Sequence, residues 1–201
     1  MARLDIRHIT DMAVELLDEV GLADLSTRRL AAKLGVQSPT LYWHVKNKAE
    51  LLDLVAEAIC ADAFDIDDTL PWRDRLASGL RQFRQLLLAH RDAATLLRER
   101  PPVGPHRLGH VETTVRILLE AGFPDTEAGG IARLLAAHVL TTAQQEARTI
   151  DPPDGDYPSL RRVATQPMSS ERQFELGIEI ILDGLEQRLT RAAPRPPASR
   201  S

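Results

Sequence analysis

Thr27-Arg28-Arg29-Leu30-Ala31-Ala32-Lys33-Leu34-Gly35-Val36-Gln37-Ser38-Pro39-Thr40-Leu41-Tyr42-Trp43-His44-Val45 decides the reading of this 201-residue chain. Ser26, just before it, is a favourable N-cap. Leu30, Ala31 and Leu34 recur at helical spacing and predict a buried stripe. Gly35 stops that helix by taking the left-handed conformation. After a tight turn, Ser38 is expected to cap another helix, with Pro39 in the first position, where no amide is needed. This second helix is short and runs to about His44 or Val45. Two short helices joined so closely form a helix-turn-helix.

The flanking sequence continues in helices. Ile9, Met12, Ala13, Leu16, Leu17 and Val20 form one apolar stripe, and Gly21 ends it. Asn47 caps a fourth helix to about Ala63, with Glu50 placed for a capping box and Leu51, Leu52, Val55, Ala58 and Ile59 on its apolar side. Asp65 to Pro71 reads as a linker. Further helices are expected at about 72–90, 92–97, 108–121, 124–148 and 171–191, with Pro101, Pro102 and Pro105 breaking the chain. Residues 149–169 hold Asp, Pro and Gly without a period and read as a long mobile loop. The expected class is all-α. Residues 1–47 form a helix-turn-helix domain, 48–70 a connecting helix and linker, 71–191 a larger helical domain, and 192–201 a disordered tail.

Leu30, Leu34, Val36, Leu41 and Val45 are expected to face a three-helix core. That leaves Gln37, Ser38, Thr40, Tyr42, Trp43 and His44 on or near the short helix. Two aromatics and a histidine suit contact with sugar, phosphate and thymine methyl groups in a major groove about 12 Å wide. The alternative is that Tyr42 and Trp43 pack inside the domain. Net charge is −4, yet Ser26 to Lys48 holds Arg28, Arg29, Lys33, Lys46 and Lys48 and no acidic residue. Such asymmetry suits an anion-binding surface or, more simply, a solvated basic face. Arg28 is placed to donate to guanine, and Lys46 and Lys48 to phosphates.

Composition narrows the rest. Hydrophobic residues make up 43% and charged residues 27%, enough apolar surface for a core. The one cysteine, Cys60, forms no internal disulfide and reads as an apolar filler in a cytoplasmic protein. No apolar run is long enough for a membrane span, and Met1 to Asp5 lacks a signal-peptide core. No nucleophile motif, Gly-rich phosphate loop or strong metal cluster is present, so neither an enzyme nor a cofactor is expected. His106 and His110 stand four residues apart, which permits a metal pair, but surface placement without a third ligand is the simpler reading.

Residues 1–54 closely resemble the DNA-binding domain of the tetracycline-repressor (TetR) family, on Met1-Ala2-Arg3-Leu4 and on Pro39-Thr40-Leu41-Tyr42-Trp43-His44-Val45-Lys46-Asn47-Lys48. The resemblance implies a homodimer on a palindromic DNA operator, contacted by Thr27, Arg28, Gln37, Pro39, Thr40, Tyr42, Trp43, His44 and Lys48. Ser38 stands where the tetracycline repressors read a base with glutamine, which implies an altered operator.

A weaker likeness runs through residues 72–146, on Trp72, Phe83-Arg84, Arg91-Asp92, Arg100-Pro101, Val111-Glu112-Thr113 and Gly122-Phe123. It implies a dimerising four-helix bundle, from helices near 124–148 and 171–191, and a small-molecule effector site. The implied pocket residues are Phe64, Phe83, Leu97, Thr114, His138 and Glu146. His138 and Glu146 match a metal-ligating histidine and its neighbouring glutamate, although a hydrogen-bonded core role for His138 stays open. Phe64, Gly79, Leu97 and Thr114 replace polar drug-binding groups, each loss leaving a drug function unpaired at a cost of about 1–3 kcal/mol. A more apolar effector than tetracycline is expected. A tetracycline-type chelate sensor and an effector-free regulator are the alternatives.

Overall fold

The computed structural model describes residues 5–62, 64–144, 157–164 and 168–192. Every regular element among the described residues is a helix. Helix α1 (Ile6–Val20) opens on Asp5, whose carboxylate accepts from the His8 amide at 2.8 Å. It buries Ile9, Ala13, Leu16 and Leu17. Each of the larger three contributes about 1.5–3 kcal/mol by leaving water. Gly21 ends the helix at φ 79°, and a Cβ there would lie 2.9 Å from the Asp92 carboxylate, so both conformation and space require glycine.

Helix α2 (Thr27–Lys33) starts at Ser26, whose hydroxyl accepts from the Arg29 amide at 3.3 Å. Helix α3 (Ser38–Tyr42) departs from expectation at both ends. Its N-cap is Gln37, not Ser38, and no side chain caps it. Pro39 brings no amide to the first turn, so one orphan donor is already gone. At the other end the Leu41 carbonyl accepts from both His44 and Val45 at 2.9 Å, which tightens the chain into a turn after Tyr42.

Helix α4 (Lys48–Ile59) is capped by Asn47, which accepts from the Glu50 amide at 2.9 Å. The Glu50 carboxylate accepts in return from the Lys46 amide at 2.7 Å, one residue further back than a capping box requires. The helix stops at Ile59, short of the expected end near Ala63, and Ala63 lies outside the described residues. Helix α4 packs on α1 and also on α6 (Ala93–Glu99) and α7 (Pro105–Glu120).

Helix α5 (Trp72–Ala89), α6 and α7 surround α8 (Asp125–Gln144). Helix α7 begins at Pro105, three residues before the expected Leu108, because a proline suits the first turn. The stretch 149–169 is not all loop: α9 (Pro158–Ala164) lies within it. Helix α10 (Ser170–Ala192) buries Phe174, Ile178, Leu182 and Leu185 as one stripe and packs on α8. Arg81 binds Glu175 at 2.9 and 2.7 Å and Arg84 binds Glu171 at 2.6 Å, strapping α10 to α5. The Arg84 guanidinium also lies 5.0 Å from the Phe174 ring centroid. No described helix is long and apolar enough to cross a membrane.

Candidate functional site

Helix α3 buries one of its own residues, Leu41, and the chain that follows buries Val45. These two anchors sit four residues apart and fix the roll of the segment between them. Trp43 is 87% exposed and Tyr42 49% exposed, so neither packs inside the domain. Arg28, Gln37, Pro39, Thr40 and Lys48 are exposed, while Thr27, Ser38 and His44 are half-buried. Of the set predicted from sequence, Thr27 and Arg28 lie on α2, Ser38, Pro39, Thr40 and Tyr42 on α3, Gln37 just before it, Trp43 and His44 just after it, and Lys48 at the start of α4.

The five cations of this segment are not equivalent. Lys33 lies 2.7 Å from Glu19 and 3.3 Å from Glu15, and the hydrogen bond to Glu19 raises its pKa. Arg29 pairs with Asp24 at 3.0 Å. Among the described residues no carboxylate lies within ion-pair distance of Arg28, Lys46 or Lys48. Lys48 donates to the Ala23 carbonyl at 3.4 Å, which leaves its charge unneutralised.

A second feature lies in the larger domain. A cavity of about 710 Å³ opens between α5, α7 and α8, with Cys60, Phe64, Ile66 and Leu97 also on its wall. Phe64, Phe83, Leu97 and Thr114, predicted from sequence, all line it. His138 does not. Its Nε2 lies 2.9 Å from the Phe174 carbonyl, its ring stacks on Phe174, and Gly177 makes room for it. Glu146 lies outside the described residues.

Sequence reasoning missed Arg75, Arg107, His110 and Arg133 as lining residues. His110 stacks on Phe64 with centroids 3.9 Å apart, and its Nε2 lies 3.0 Å from the Asp62 carbonyl. That carbonyl only accepts, so Nε2 donates and Nδ1 of the neutral ring is an acceptor. Burial lowers the His110 pKa, keeping the ring neutral at pH 7. Burial also pushes the Cys60 thiol up to about 12. No group of three or more His, Cys, Asp or Glu side chains able to hold a metal occurs among the described residues.

Two polar joints tie α1–α4 to this cavity domain. At the first, Asp18 accepts from the Arg91 amide at 2.9 Å and lies 2.9 Å from His90 Nδ1, while Asp92 accepts from the Leu22 amide at 2.9 Å. At the second, Asp53 of α4 binds Arg100, and Glu57 of α4 accepts from the amides of His106 and Arg107 at 2.5 and 3.4 Å. Glu57 thus caps α7, where its negative charge also suits the helix dipole. A Cβ on Gly104 would lie 2.3 Å from the Glu57 carboxyl carbon, so the approach needs glycine.

Comparisons with known proteins fit this geometry. Residues 9–55 match the family model described as bacterial regulatory proteins, tetR family, and residues 67–156 the one described as tetracyclin repressor-like, C-terminal domain. The chain is 38% identical to the tetracycline repressor protein class D of Escherichia coli, over 94% of this chain and 93% of that protein. Among solved structures it resembles ActR of Streptomyces coelicolor in complex with actinorhodin, at a TM-score of 0.83 and 32% identity, covering 94% of this chain and 99% of that one. It also resembles BioQ with its double-stranded DNA operator, at a TM-score of 0.66 and 29% identity, covering 92% and 99%.

Proposed function

The chain belongs to the TetR family of bacterial regulatory proteins, and from that premise we propose that it is a cytoplasmic transcriptional repressor that binds a palindromic operator as a homodimer and leaves it when a small-molecule effector other than tetracycline fills the α5–α7–α8 cavity. The observation that carries the reading is Trp43, a large aromatic with 87% of its surface in water beside the half-exposed Tyr42. A short helix with one buried residue keeps such groups outside only at a cost in solubility, which contact with base edges and sugars explains.

Residues 1–47 act as the reading head. Thr27, Arg28, Gln37, Ser38, Pro39, Thr40, Tyr42, Trp43, His44 and Lys48 meet the DNA. Two heads must sit roughly 34–36 Å apart to enter successive major grooves. The second copy docks on the outer faces of α8 and α10. Leu134 is 53% and Ile180 61% exposed there, and a Cβ on Gly130 or Gly184 would meet nothing within 4 Å. Small residues beside exposed aliphatics suit close helix packing between copies.

Effector contacts come from Phe64, Phe83, Leu97 and Thr114, and release runs through α4. The cavity residue Arg107 sits in the first turn of α7, which Glu57 caps from α4, and α4 begins just after the reading head. An effector that shifts this turn shifts α4 and the spacing of the heads. A coupling of about 1–3 kcal/mol is typical of such linkage. His138 spends its Nε2 on Phe174, which favours an effector without a chelated metal.

The test is operator binding by Tyr42→Ala and His44→Ala, with the oligomeric state followed in parallel. Both variants are expected to bind specific operator at least about tenfold more weakly while remaining dimers. Unaltered affinity in both overturns the assignment.

A further inference from the structure

The cavity wall contains a cation with no anion to match it. Arg107 is 7% exposed, and each hydrogen bond of its side chain goes to a backbone carbonyl: Pro101 at 3.1 Å, Leu97 at 3.2 Å and Arg100 at 2.6 Å. Among the described residues no carboxylate lies within ion-pair distance of it. Nε and the second hydrogen of Nη1 have no acceptor there. Glu57, which is near enough to act on it electrostatically, directs its oxygens to backbone amides instead. Cys60 gives no negative charge, since burial holds it as the thiol.

A buried cation that has carbonyl partners but no counter-charge is costly, and an anionic ligand would offset that cost. The other lining charges have the same sign. Arg75 and Arg133 line the same space, and among the described residues no aspartate or glutamate lines it. Arg75 is matched by Asp68 at 2.7 Å and Glu120 at 2.8 Å, while Arg107 is not matched. Phe64, Phe83 and Leu97 supply the apolar remainder.

We propose that the effector is an acidic aromatic compound, carrying a carboxylate, sulfonate or ionised phenol that pairs with the free Nε–H of the Arg107 guanidinium while its rings lie against Phe64 and Phe83. The inference rests on the reading of this cavity as the effector site. The free Nε–H gives such an anion a charge-assisted donor, and in an apolar surround that bond is stronger than in water. It also gives the effector a direct grip on the turn that Glu57 ties to α4.

Two naphthalene dyes of similar size separate the outcomes: anionic 8-anilinonaphthalene-1-sulfonate and neutral N-phenyl-1-naphthylamine, each titrated into the full-length protein and followed by fluorescence. Arg107→Gln keeps donors for the carbonyls but removes the charge; Arg107→Lys keeps the charge. The glutamine variant is expected to weaken the sulfonate at least about tenfold and the neutral dye less than about twofold, with lysine restoring much of the sulfonate affinity. Equal effects on both dyes, or none on either, overturn the proposal. If neither dye binds wild-type protein, the effector-site reading itself fails. Displacement of the neutral dye from wild-type protein needs no variant: naphthalene-2-carboxylate is expected to compete better than naphthalene-2-carboxamide, and the reverse order overturns the proposal.

Discussion

The carboxylate of Asp53 holds the guanidinium of Arg100 by two parallel hydrogen bonds, Oδ1 to Nε at 2.7 Å and Oδ2 to Nη2 at 2.6 Å. This pair links α4 to the segment just after α6. Asp53 is not among the residues proposed to meet DNA, so Asp53→Asn is expected to bind operator within about threefold of wild type, a shift of under ~1 kcal/mol. Backbone hydrogen exchange in residues 48–59 and 96–107 is expected to accelerate together, because one joint holds both. Unchanged exchange in both segments would show that the pair carries no coupling.

Trp43 separates recognition from stability. Its side chain is almost wholly in water, so Trp43→Ala is expected to move the thermal midpoint little while lowering operator affinity about tenfold, or ~1.4 kcal/mol. Melting curves and fluorescence anisotropy on the same preparation check both halves. A large loss of stability would mean that the indole packs inside the protein.

The internal pairing of Lys33 predicts a difference in salt response. Log operator affinity falls with log salt by about 0.9 for each phosphate neutralised. Lys48→Gln is expected to flatten that slope by about one such step. Lys33→Gln is expected to leave it unchanged, since Glu15 and Glu19 already hold that ammonium group. Equal flattening by the two variants would contradict the distinction.

His110 predicts acid sensitivity. Its folded pKa lies below the usual value of 6.5 because burial disfavours the cation. Below that value the unfolded chain takes up a proton that the folded chain refuses. Stability is therefore full above pH 6.5 and falls as the pH drops towards the folded pKa. His110→Gln is expected to lose less stability than wild type between pH 7 and pH 5 in urea titrations. Parallel losses would remove His110 as a source.

Gly177 and His138 are coupled by space. A Cβ on Gly177 would fall 2.1 Å from His138 Cε1. In most helices Gly→Ala stabilises by up to about 1 kcal/mol, but here the ring must move and overpacking costs about 1–3 kcal/mol. Gly177→Ala is expected to destabilise wild type and to do so much less beside His138→Ala. Additive effects in a double-mutant cycle would argue against direct contact.

Much of the head was legible because its signals are local. Ser26, Gly21, Gly35 and Asn47 punctuate the chain, and Leu41 with Val45 fixes which way Trp43 and Tyr42 point. The cavity was read unevenly. Phe64, Phe83, Leu97 and Thr114 were assigned by likeness and do line it, whereas His138 followed the same likeness and lies against Phe174. No local pattern reports that contact, since its partner is 36 residues away in sequence. Arg107 was missed for a simpler reason. A helix begun at Leu108 excludes it, but one begun at Pro105 puts Arg107, His110, Val111 and Thr114 at spacings of three and four on one face.

The acidic clasp around Lys33 and Arg29 also bears on how the protein distributes itself over a genome. A head that withholds two cations from phosphate clings less to arbitrary sequence, where affinity is almost wholly ionic. Such a molecule is expected to leave fewer copies on the vast excess of wrong sites.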